Sequence, residues 1–183
     1  MDNEKIILEK DGFVFTKLRN NCYNMTFSIE NNKILLPNII NFDLIKLMYD
    51  LNPDIYEFVE LDKINNDNAY ITFVIKHLFQ DVGVSQKYSH LQLTRTTTDK
   101  LITICAHTLP MERPANVPIQ AELLKIDTIE CVCNIENPHK IFFTYNVIYE
   151  NTQNIQPYAE KIIGIISNKV FKRLKRFIEN VNV

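Results

Sequence analysis

Apolar residues recur at every second position in stretch after stretch of this chain, and that period dictates strands with one buried face. Tyr23, Met25, Phe27 and Ile29 alternate with more polar neighbours, and so do Ile71, Phe73 and Ile75. Leu91 and Leu93 follow, then Ile102, Ile104 and Ala106. Val117, Ile119, Ala121 and Leu123 align in the same way, as do Ile129, Cys131, Cys133 and Ile135. The clearest run is Ile141, Phe143, Tyr145, Val147 and Tyr149. Asn65-Asn66-Asp67-Asn68, Thr98-Asp99-Lys100 and Glu136-Asn137-Pro138-His139 supply turn chemistry between runs. Connections this short join neighbours, so the sheet is expected to be antiparallel.

Two segments follow the helical period instead. Residues 42 to 51 carry Leu44, Leu47, Met48 and Leu51 at helical spacing, with Asn41 placed to cap the start and Asn52-Pro53 to end it. From Pro157 to about Asn180 the stripe Ile162, Ile166, Val170, Leu174, Phe177 and Val181 is widened by Ile163, Phe171 and Ile178. Pro157 suits the first helical turn. A half-buried sheet must cover its apolar face, and this last segment is the element long and apolar enough to do it. The expected fold is therefore α+β, a curved antiparallel sheet wrapped around a long C-terminal helix. This helix-grip arrangement leaves a space between the two. No repeat, linker or shift in composition divides the chain, so residues 1–183 are expected to form one domain, with 46% hydrophobic residues to build its core.

Other features narrow the function. A formal net charge of −2 does not describe a globally basic nucleic-acid binder. The opening MDNEKIILEKDG is not a signal peptide. No apolar run reaches the roughly 18 to 20 residues that span a bilayer. A soluble cytoplasmic protein, or part of something larger, is expected. Cys22, Cys105, Cys131 and Cys133 contain no CxxC pair and read as reduced, mostly buried thiols. His77, His90, His107 and His139 lack metal-ligand spacing. Gly12, Gly83 and Gly164 are isolated, so no phosphate-binding loop is present and no cofactor is expected. No nucleophile–base arrangement has a recognisable context.

Local segments then carry a resemblance. Leu51-Asn52-Pro53-Asp54-Ile55 leads into Glu57-Phe58-Val59, and His90-Leu91-Gln92-Leu93-Thr94-Arg95 follows. After these come Thr108-Leu109-Pro110, Pro114 and Ile119-Gln120-Ala121-Glu122, then Glu150 and Ile155-Gln156-Pro157. In this order they resemble the START lipid-transfer domain, from about residue 20 to the end. The counterparts there are a Trp-Asn-Pro helix exit, an Asp-Phe-Val-x-x-Arg strand, a His-Pro … Val-Arg-Ala-Glu stretch and an Asp-x-x-Gly-x-Ile-Pro approach to the last helix. Departures are Leu51 for Trp, Gln120 for Arg, an inserted Gln156 and a missing glycine. Most of the usual N-terminal helix also has no counterpart. In the sterol-binding branch the arginine at the position of Arg95 pairs with an acid on the preceding strand, where this chain offers Lys76 and His77.

The resemblance implies a non-enzymatic lipid-binding or lipid-transfer protein holding a sterol, phospholipid or acyl chain in an apolar cavity. The residues expected to meet the ligand are Arg95, Glu122, Phe143, Tyr145, Ile162, Ile166 and Val170. Arg95 shares a face with Leu91 and Leu93, and a buried arginine needs a partner, for which Glu122 is available. Tyr145 and Tyr149 would present hydroxyls for a ligand, a backbone carbonyl or the surface. Lys169, Lys172, Arg173, Lys175 and Arg176 lie mainly opposite the apolar stripe, as a solvated face or as a dock for anionic membrane. The stretch from Leu109 to Pro118, with Met111, is either a cavity rim or a plain connection. The alternative function is a protein-interaction module that keeps the fold while its own Phe, Ile and Leu fill the cavity. An enzyme ranks last.

Overall fold

The computed structural model describes residues 4–77, 85–110, 112–152 and 155–182. Gly83 and Met111 lie outside them. With one exception the alternating runs form strands. In chain order these are β1 (Lys5–Lys10), β2 (Phe13–Arg19), β3 (Cys22–Glu30), a 3-10 turn (Leu36–Ile39), α1 (Phe42–Asp50), β4 (Tyr56–Lys63) and β5 (Asn68–Ile75). After them come β6 (Lys87–Thr97), β7 (Leu101–Thr108), β8 (Glu122–Leu123), β9 (Ile126–Asn137), β10 (Lys140–Tyr149) and α2 (Pro157–Asn180). The strands form one sheet in the order β1-β2-β3-β10-β9-β7-β6-β5-β4, with two-residue β8 set parallel to β6. Every other pairing is antiparallel, as the short connections require.

The hairpin of β1 and β2 adds to the sequence reading, in which the alternation begins at Tyr23. Its two loop residues, Asp11 and Gly12, both have positive φ, 56° and 79°. An Asp-Gly pair between strands is the dipeptide that takes up such a turn most readily, and it was the signal for this hairpin.

The exception is Val117–Leu123. Pro114 and Pro118 donate no backbone hydrogen bond, and each instead accepts through its carbonyl in a tight turn, from Val117 N (3.0 Å) and Ala121 N (3.0 Å). Val117 and Ala121 are buried, but in a small cluster with Val74 and Tyr88. Ile119 is 90% exposed. The alternation there reflects two successive turns rather than a strand. Val74 and Tyr88 have the opposite parity to the core residues Phe73 and Leu91, so this loop packs on the outer face of the sheet.

The main core lies on the other face. Tyr23, Met25, Phe27 and Ile29 of β3 are all at most 2% exposed. Each such side chain contributes about 1.5–3 kcal/mol when fully buried. Phe27 is the hub: it stacks on Phe143 of β10 (4.9 Å between ring centroids) and meets Phe171 of α2 (5.1 Å). α2 packs on β1, β2 and β3 at one end of the sheet and touches α1, which packs on β4 at the other end. For the two ends to approach the same pair of helices the sheet must curl around them, and curling leaves a space on its concave side.

Asn41 caps α1 as expected, its side chain accepting from the N–H groups of Asp43 and Leu44. α2 spans the predicted residues, but its buried face is rotated from the apolar stripe. Val170, Phe171, Leu174 and Ile178 of the predicted face are buried, but so are Glu160, Gly164 and Asn168, while Phe177 is 43% exposed. Two polar side chains hold that rotation. Glu160 accepts from Lys17 Nζ (2.6 Å) and Tyr23 Oη (2.9 Å), and Asn168 donates to Lys10 O (3.4 Å).

Candidate ligand pocket

A pocket of about 720 Å³ opens between α2, α1 and the concave side of the sheet. Because α2 is rotated, Ile162, Ile166 and Val170 turn toward this space rather than into the solid core, joined by Ala159 and Ile163. Met48 and Tyr49 of α1 form the facing wall. The floor is Tyr56 of β4, Phe73 and Ile75 of β5, Ile129 of β9, and Tyr145, Val147 and Tyr149 of β10. Lys76, His77, Ser85, Lys87, Glu122 and Lys125 make a polar rim. A smaller space of about 90 Å³ lies deeper, between α1, β7, β9 and β10, and shares Met48, Tyr49, Ile129, Tyr145 and Phe171 with the larger one.

The expected site residues separate into three places. Ile162, Ile166, Val170 and Tyr145 line the main pocket, and Tyr145 with Phe143 lines the deeper one. Glu122 stands at the rim, mostly exposed, with Lys87 Nζ (2.5 Å) and Ser85 Oγ (2.5 Å) donating to it. These two neighbours hold its carboxyl below the usual range. Arg95 lies elsewhere. It shares the face of Leu91 and Leu93, as its parity requires, but near the far end of β6. Its Nε donates to Ile40 O (3.0 Å) and its guanidinium sits 3.9 Å from Asp67. The partner suggested for Arg95 was Glu122; the structure supplies Asp67 and a backbone carbonyl instead. Arg95 lines a separate cleft with Pro37, Asn38 and Ile102.

Tyr49 and Tyr56 were missed as pocket residues. The signal for Tyr49 was present, since it follows Ile45 at i+4 on α1. Tyr49 and Tyr56 meet edge to face at 4.7 Å, and both rings touch Phe73, at 5.1 and 5.8 Å. Tyr145 packs against Phe171 at 5.0 Å, and Tyr149 against Tyr23 at 6.1 Å. Burial pushes all of these phenols upward, Tyr149 to about 12 and the others further, so each is neutral at physiological pH. Inside its rim none of the described lining residues is charged, and aromatic and aliphatic side chains predominate.

The basic cluster on α2 is largely engaged in ion pairs. Lys169 and Arg173 pair with Asp54, Lys172 with Asp11, and Lys175 with Glu179. Arg173 also donates to Asn52 Oδ1 (2.9 Å), which fastens α2 to the end of α1. Together Arg173 and Lys169 hold the Asp54 carboxyl well below the usual carboxylate range. Among the described residues no group of His, Cys, Asp and Glu could hold a metal ion, and no helix is long and apolar enough to cross a membrane.

No protein-family model matches the chain, and no curated protein matches it in sequence. Solved structures do. The fold they define is the helix-grip class, a long antiparallel sheet closed around a C-terminal helix. Within it the chain has a divergent START-like fold. The lipid transfer and protein localization domain of human StarD13 (DLC2) superposes with a TM-score of 0.72 at 9% identity, covering 99% of this chain and 91% of that one. A STAR-related lipid transfer protein from Xanthomonas axonopodis gives 0.65 at 12% identity, covering 96% and 98%. Human StAR-related lipid transfer protein 5 gives 0.63 at 11%, covering 96% and 86%. At these identities what is shared is the fold.

Proposed function

We propose that this chain is a lipid-binding or lipid-transfer protein that holds one hydrophobic molecule in the pocket under α2 and performs no chemistry on it. The observation that carries the reading is the pocket itself. Its volume of about 720 Å³ falls within the roughly 300–1,000 Å³ typical of small-molecule sites, and its walls are aromatic and aliphatic. An acyl chain or sterol placed there leaves water at roughly 25 cal/mol per Å² of apolar surface. Structural neighbours named for lipid transfer support the same reading. The space between α2 and the sheet speaks against an interaction module whose own side chains fill the interior.

Ile162, Ile166, Val170, Phe143 and Tyr145 are the contacts we assign to the ligand, with Glu122 at the rim. Arg95 is left out of the set because its guanidinium is held by Ile40 and Asp67. We place the protein in the cytoplasm. Docking to anionic membrane through Lys169, Lys172, Arg173, Lys175 and Arg176 would compete with the ion pairs that the first four of these groups already make. We therefore assign no membrane contact to them.

Native mass spectrometry of protein purified from cells, followed by uptake from vesicles doped with fluorescent lipid, tests this. A bound mass that dissociates as lipid, and one-to-one uptake, are expected. An empty protein that also takes up no labelled lipid would overturn the proposal.

A further inference from the structure

Tyr49, Tyr56, Tyr145 and Tyr149 all line the main pocket, inside its charged rim. Their rings are fixed by neighbouring aromatics, so their hydroxyls have little freedom to search for partners. None of the hydroxyls makes a hydrogen bond to the described residues. This differs from Tyr23, whose hydroxyl donates to Glu160. The rings of Tyr49 and Tyr56 lie 4.7 Å apart, and Tyr49 and Tyr145 line both the main pocket and the deeper space. A hydroxyl cut off from water without a partner is costly, so once a ligand fills the pocket these groups ask for a polar group to face them.

We infer that these tyrosines form a polar subsite for an uncharged hydrogen-bonding group of the ligand, such as the hydroxyl, amide or ester of a lipid head. The inference rests on the lipid-binding reading and specifies which lipids it admits. A neutral group can both accept from the phenols and donate to them. A carboxylate or phosphate would enter a wall with no cation among the described residues, since Lys76, Lys87 and Lys125 all stand at the rim. It would pay the same desolvation that already opposes ionisation of the phenols.

Three probes with one tail and different heads separate the contributions: pyrenedecanol, pyrenedecanoate and pyrenedecane. Titrated at pH 7.5 and followed by pyrene emission, the wild-type protein should bind the alcohol about tenfold more tightly than the headless chain, the gain from one or two net hydrogen bonds. The carboxylate should bind more weakly than the alcohol. Tyr145→Phe and Tyr49→Phe keep the aromatic faces and remove only the hydroxyls. They should erase the preference for the alcohol, bringing the ratio of alcohol to pyrenedecane affinity within each variant to about one, with melting temperature as the check on folding. Equal wild-type affinity for alcohol and headless chain would overturn the subsite while leaving lipid binding intact. So would Phe variants, Tyr56→Phe included, that retain the preference and thereby point to the ring faces. Failure of all three probes to bind would remove the lipid reading and the subsite together.

Discussion

Gly164 sits where α2 crosses β2, with its Cα against the Phe15 ring. A Cβ built on it would stand 2.7 Å from Cδ1 of Phe15. Phe15 has little room to yield: it is 1% exposed and stacks on Tyr23 with centroids 5.6 Å apart. In an open helix Gly→Ala gains about 1 kcal/mol from propensity. Here the overpacking cost of about 1–3 kcal/mol opposes it. Gly164→Ala should therefore lower stability by about 1 kcal/mol net, a fall of roughly 2–4 °C in Tm for a chain of this size. Combining it with Phe15→Leu should give a double variant less destabilised than the two single effects added. An unfolding curve that moves to higher temperature for Gly164→Ala alone would contradict the close crossing. In the sequence this glycine registers only as isolated from any phosphate-binding motif. Its role is legible only once β2 is known to lie beneath it, and β2 itself was not read.

At the scale of elements, α2 has two ends held differently. Its first turns are fixed by Glu160, which takes hydrogen bonds from Lys17 and Tyr23. Its last turns are fixed by Asn31, whose amide donates to Ile178 O (2.7 Å) and Val181 O (3.0 Å). The pocket wall belongs to the first part, from Ala159 to Phe171. Glu160→Ala leaves the Tyr23 hydroxyl, which is fully buried, without its partner. Hydrogen bonds to charged groups contribute about 1.5–3 kcal/mol each, so a loss of about 3 kcal/mol is expected. It should be felt unevenly. Amide hydrogen exchange should accelerate over residues 159–167 while the turn around Leu174 and Ile178 stays protected. Uniform acceleration along the helix would mean that Glu160 supports the fold as a whole rather than this segment. The extent of α2 was legible from its period, its apolar face less so. Hydropathy ranks Glu160 and Asn168 as solvent-facing, whereas both are buried because they meet specific polar partners on β1, β2 and β3. The same limit explains Val117–Leu123, where two proline-led turns imitate the period of a strand. Within β3, β5, β6, β7, β9 and β10, where one face meets the core and the other does not, alternation alone identified the strands.

For the molecule as a whole, the decisive property is that the curled sheet and its two helices enclose more space than their side chains fill. That property depends on the sum of curvature, helix rotation and side-chain volume, so no single motif states it. This is why Ile162, Ile166 and Val170 were legible as facing the sheet, whereas Tyr49, Tyr56 and the position of Arg95 were not. Filling the space separates ligand binding from folding. Ile166 lines the pocket from α2 and is only partly buried. Ile166→Trp adds apolar contact inside the protein, and cavity-filling changes of this kind commonly stabilise by about 0.5–2 kcal/mol. The same indole would occupy space the ligand needs, and losing about 1.4 kcal/mol of apolar contact weakens binding about tenfold. The expected outcome is a variant at least as stable as wild type in urea that takes up labelled lipid about tenfold less well. If the space instead served only to relieve packing at the α1–α2 junction, the variant would melt earlier and its lipid uptake would fall only in proportion to the folded fraction.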